Sequence, residues 1–83
     1  MDANAENALP LSMVAEGRRA RILAVGGVGA LRRRILEMGL TRGTELIVEK
    51  YAPLKDPIEI IVKGFHVSLR VEEASHISVE ILE

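Results

Sequence analysis

The stretch that most limits the possible folds runs from Ile58 to Val71. Residues 58–63 and 66–71 read IEIIVK and HVSLRV, with Gly64-Phe65 between them. Both arms alternate apolar and polar side chains, the period of a strand with one buried face. Glycine first in a two-residue loop predicts a type II′ hairpin. That turn sets Ile58 opposite Val71, Ile60 opposite Leu69 and Val62 opposite Val67, all on one face. The other face pairs Glu59 with Arg70, Ile61 with Ser68 and Lys63 with His66. A slip of one residue would carry every apolar side chain to the wrong face.

Three more segments have strand character. In RRARILAV, residues 18–25, Ala20, Ile22 and Ala24 share one face, and Arg19, Arg21 and Leu23 the other. Residues 44–51 place Leu46 and Val48 together. Ile77, Val79 and Ile81 alternate with Ser78, Glu80 and Leu82 in a last strand. Pro10 to Gly17 is an opening segment that tucks Leu11 against the core. APLKDP, residues 52–57, is a proline-bracketed loop, and Glu72 to His76 forms a helical turn. Five short strands and one short helix in so small a chain predict a mainly β, small closed barrel.

The helix is read from GGVGALRRRILEMGL, residues 26–40. At about 100° per residue, Leu31, Ile35 and Met38 form one stripe facing the core. Arg33 and Glu37 lie opposite it, four apart, at the spacing of a helical ion pair. Gly39 ends the helix, with Leu40 folding back toward Ile35. The glycines before it fit neither phosphate-loop pattern: no lysine and hydroxyl follow them, and G-x-G-x-x-G fails at Arg32. They are read as a flexible strand-to-helix link.

Composition removes several function classes. Eighty-three residues make one domain, with residues 1–9 as a flexible, acidic lead-in and 10–83 as the folded unit. So short a chain hides only about 60–65% of its unfolded surface. With no cysteine, it has no disulfide or thiolate-zinc staple and relies on apolar burial. Eleven basic and 12 acidic side chains give a net charge of −1, unlike a nucleic-acid binder. Tyr51 and Phe65 are the only aromatic residues. That is too few to stack bases or to line a proline-peptide groove. Ser12, Ser68, Ser75 and Ser78 show no nucleophile setting, so the chain is read as a non-enzyme. No apolar run approaches a transmembrane length, and the N-terminus is the reverse of a signal peptide. A cytoplasmic location is expected.

One surface stands out. Leu36 sits about 130° from the centre of the apolar stripe, between Arg32 and Arg33. An apolar side chain edged by arginines resembles a binding hot spot. Arg32, Arg33, Arg34 and Leu36, with Lys55 and Asp56 of the adjacent loop, are therefore the candidate partner-binding residues. His66 and His76 are candidates for a weak metal site, His76 with Glu72 or Glu73 nearby. No metal-ligand spacing supports them.

The segments PLSMVAEG (10–17), LRRRILEMGLTRGTEL (31–46), APLKDPIEI (52–60) and KGFHVSLRVEEASHI (63–77) resemble the ferrous iron transport protein A (FeoA) family. The resemblance covers about residues 10–82, and it rests on the order and spacing of those motifs together. It implies an SH3-like five-stranded barrel with a short helix inserted after the first strand. It also implies a small cytoplasmic accessory or regulatory protein of ferrous iron uptake. The implied partner is a membrane ferrous-iron permease whose cytoplasmic part binds GTP. The alternative is a transition-metal-binding domain that senses or carries the ion. No cofactor is required on either reading. Exposed strand edges make self-association a further expectation.

Overall fold

Alternating apolar residues do build strands. The computed structural model describes residues 8–83, so residues 1–7 of the expected lead-in lie outside the described residues. Six strands appear: β1 Leu9–Pro10, β2 Arg19–Val25, β3 Glu45–Tyr51, β4 Ile58–Val62, β5 Phe65–Leu69 and β6 Ile77–Ile81. A 3-10 turn spans Leu11–Met13. Helix α1 spans Gly29–Glu37, and the short α2 spans Val71–Ala74. The strands form one antiparallel sheet in the order β1-β6-β2-β3-β4-β5. The strand beyond the expected five is β1. Its Leu9, placed in the lead-in by sequence, pairs with Val79. Pro10 cannot donate a backbone hydrogen bond, which suits this short edge strand.

The core is aliphatic and continuous. Leu11, Ile22, Ile35, Leu40, Val48, Ile58, Ile60, Leu69, Ile77 and Val79 are all fully buried. They come from every strand except β1, from the 3-10 turn, from α1 and, in Leu40, from the loop that follows α1. The helix therefore belongs to the core through one side chain, Ile35, with Leu31 and Met38 packed at the margin.

The hairpin forms, but two residues out of the expected register. Its turn is Lys63-Gly64, with φ of 53° and 83°. Positive φ at both central positions is the type I′ geometry, not type II′. Ile58 now faces Leu69, Ile60 faces Val67 and Val62 faces Phe65. A shift of two preserves which face each side chain occupies, so the same residues still point inward. The polar pairs change: Ile61 faces His66, and Glu59 faces Ser68. Arg70 and Val71 leave the strand to begin α2.

Two irregularities redirect side chains. The β2–β6 register shifts between Ile22 and Ala24. Ala24, expected inside, is exposed, and Val25 packs on the core in its place. The β3–β4 register shifts between Val48 and Lys50. This brings Tyr51 against the core opposite Ile58. Such bulges bend a strand and increase its twist, which helps so short a sheet wrap round its own interior.

Candidate partner-binding surface

Helix α1 is entered through glycines that have a steric purpose. The Gly26 N–H donates to His76 O at 2.6 Å. A Cβ on Gly26 would lie 3.1 Å from that oxygen. Glycine here lets β2 approach the start of β6, in keeping with a link and not a phosphate cradle. At the other end, Gly39 has φ of 85° and its N–H bonds to Leu36 O at 3.0 Å. This left-handed residue closes the helix and delivers Leu40 into the core.

With Ile35 inward, Arg32 and Arg33 point to solvent and Leu36 is half-buried between them. Gly29, Arg32, Arg33, Leu36 and Glu37 line an open groove of about 510 Å³. Arg32 Nε donates to Val25 O at 3.3 Å, which steadies the side chain and leaves its other nitrogens outward. The expected Arg33–Glu37 pair does not form, and Arg33 has no ion pair among the described residues.

The remaining candidates lie apart from this groove. Arg34 forms an ion pair with Glu73, Nε to Oε2 at 3.0 Å. Glu73 is buried, and its Oε1 accepts the Arg70 N–H at 2.9 Å. Asp56 is tied into α2 as well, its Oδ1 accepting the Val71 N–H at 3.1 Å. Lys55, with φ of 67°, lines another cavity of about 510 Å³ with Met13, Glu16 and Tyr51. The six candidates thus separate into a groove (Arg32, Arg33, Leu36), an α2 junction (Arg34, Asp56) and a loop beside the 3-10 turn (Lys55).

Tyr51 holds that last region together. Its hydroxyl lies 2.5 Å from Val14 O and 3.2 Å from Ser12 O, and donates to the nearer. Its backbone N–H donates to Glu16 Oε2 at 2.7 Å. Burial, and then the Glu16 carboxylate, push the phenol pKa above the ordinary tyrosine value, since both disfavour tyrosinate.

The histidines do not converge. His66 Nδ1 lies 3.5 Å from Glu49 Oε1 on the outer face of the sheet. His76 is half-buried beside Gly27, at the foot of β6. Glu73, its expected neighbour, is held by Arg34 and the Arg70 N–H. Among the described residues no three His, Cys, Asp or Glu side chains are grouped to hold a metal ion. Among them, too, no helix is long and apolar enough to cross a membrane. Sequence reasoning missed Ser68 and Arg70, which line a cleft with Arg34, Pro57 and Glu73. Arg34 and Arg70 are too far apart in the chain for any local pattern to join them.

Comparison with known proteins agrees with this geometry. The FeoA domain family matches residues 9–81. A fusion of Fe(2+) transport protein A with the Fe(2+) transporter FeoB, from Porphyromonas gingivalis, is 43% identical over 72 residues. That match takes in 87% of this chain but only 8% of the fusion protein's length. The solution structure of a FeoA-like protein from Clostridium acetobutylicum superposes with a TM-score of 0.87 at 35% identity. It covers 93% of this chain and 90% of its own. FeoA from Stenotrophomonas maltophilia, described as a prokaryotic SH3 domain protein and crystallised with zinc, superposes with a TM-score of 0.74 at 26% identity. That superposition covers 84% of this chain and 87% of the other. The curled antiparallel sheet is accordingly SH3-like.

Proposed function

This chain belongs to the FeoA family of ferrous iron transport, and on that premise we propose that it docks on the cytoplasmic GTP-binding part of a ferrous-iron permease. The observation that carries the reading is the Porphyromonas gingivalis relative, in which a domain 43% identical to this one shares a chain with FeoB. A covalent tether holds two domains at high effective concentration, which is useful when their contact matters.

The Arg32–Arg33–Leu36 groove is the contact surface on this reading. Leu36 supplies an apolar centre that a partner side chain can cover. Arg32 and Arg33 flank it with planar donors suited to carboxylates. Such a contact biases the permease only by binding one of its states more tightly than another. Its proposed role is therefore to shift the nucleotide-dependent equilibrium of the permease from the cytoplasmic side, without catalysing a reaction itself.

Binding to the isolated soluble part of the permease tests this directly. The double variant R32E/R33E should weaken binding by about tenfold or more, as loss of paired interface charges does. Equal binding by wild type and variant would remove this groove from the account. No binding by the wild-type protein would remove the docking itself.

A further inference from the structure

We propose that the cleft between α1 and α2 binds a single carboxylate side chain of a protein partner, through Arg34 and Arg70. The proposal deepens the docking reading and rests on it for the partner, whereas the cleft's own preference is tested without the permease. The cleft measures about 290 Å³ and is lined by Arg34, Pro57, Ser68, Arg70 and Glu73.

Its donors are set in advance. The buried Glu73 pairs with Arg34, Oε2 to Nε at 3.0 Å. A guanidinium carries donors on more than one edge, so an arginine held on one edge can still grip a second carboxylate through parallel hydrogen bonds. Glu73 Oε1 also accepts the Arg70 backbone N–H, which holds the chain from which the Arg70 side chain departs. The Arg70 guanidinium has no ion pair among the described residues. The Ser68 hydroxyl adds a neutral donor at the wall. Backbone donors at the start of α2 are not part of the site, because Glu73 and Asp56 already occupy the Arg70 and Val71 N–H groups.

Charge selects the ligand. Arg34 and Arg70 against Glu73 leave one positive charge in the lining, which a monoanion neutralises. A phosphate dianion would overshoot that single charge and would face the Glu73 carboxylate in the lining. An acidic side chain of a partner meets the requirement.

The test is a titration of the full-length protein, isotope-labelled, with acetate and separately with inorganic phosphate. The Nε–Hε signals of its arginines are followed by NMR. Acetate should give saturable shifts at Arg34 and Arg70, with Arg42, outside both the cleft and the α1 groove, as the internal control that stays in place. R70Q changes an exposed side chain, should fold normally, and should weaken acetate binding about tenfold. S68A should weaken it less. Equal movement of Arg42 with Arg34 and Arg70 would mean general screening and would overturn the proposal. So would tighter binding of phosphate than of acetate, or no saturable shift at all. Retained permease binding in R70Q, with acetate binding lost, would separate this cleft from the α1 groove and remove it from the docking contact.

Discussion

Replacing Tyr51 by phenylalanine isolates one hydroxyl in a defined place. The ring stays on the core, and the backbone N–H stays on Glu16. What disappears is the donor 2.5 Å from the carbonyl of the buried Val14. A neutral hydrogen bond contributes about 1 kcal/mol net, and an acceptor left without a donor raises the loss to about 2 kcal/mol. For a domain of this size each kcal/mol moves Tm by about 4–8 °C, so Y51F should melt roughly 5–15 °C lower. Circular dichroism at neutral pH reads this directly. The alkaline limb provides an independent check. Burial and Glu16 raise the folded pKa of Tyr51 above its unfolded value of 10.0. The folded state therefore holds its proton more tightly than the unfolded one. This contribution to stability is complete below pH 10.0 and is lost as pH rises through the folded value. Y51F should lack that part of the alkaline fall. Tyr51 is the only tyrosine, so tyrosinate absorbance reports its pKa without interference. E16Q should return that pKa part of the way toward normal, since it removes the smaller of the two causes. An unchanged Tm in Y51F, together with a tyrosine titrating at its ordinary value, would refute the reasoning.

Two further outcomes test other parts of the structure. Gly39→Ala meets no atom within 4 Å, so its cost is purely the left-handed backbone, about 1 kcal/mol, read as a lower urea midpoint with an unchanged m-value. Calorimetry with ferrous and zinc ions should show no stoichiometric binding tighter than about 10 μM, because His66 and His76 lie apart. Tight binding abolished in H66A or H76A would instead favour the transition-metal-binding alternative.

Much of the site was legible because it lies on one helix. Leu31, Ile35, Leu36, Met38 and the arginines are all within two and a half turns, so their angular order follows from helix geometry alone. Ile35 inward and Leu36 between Arg32 and Arg33 are consequences of that. The division of the arginines was not legible. Arg34 meets Glu73 only because the tertiary fold brings α2 beside α1, and no local pattern encodes that contact. Lys55 was grouped with the arginine face on the expectation that its loop lies adjacent to it. The fold carries it instead to the 3-10 turn, where Tyr51 and Glu16 lie.

The chain by itself determined which residues are apolar at strand and helix spacing, where the helix stops, and hence a small, mainly β barrel with one short helix; the SH3-like form came from the family resemblance. Those properties depend on nearest-neighbour sterics and on a period of two or 3.6, which any reader of the residues can count. Only the tertiary structure decided the hairpin register, the exchange of Ala24 for Val25, the inward turn of Tyr51 and the Arg34–Glu73 pair. A two-residue slip leaves every face unchanged, so alternation cannot detect it. A bulge reverses faces without altering composition, and an ion pair between distant residues exists only once the sheet has curled. Packing settled each of these, because only one arrangement fills the interior and gives the buried Glu73 its partners.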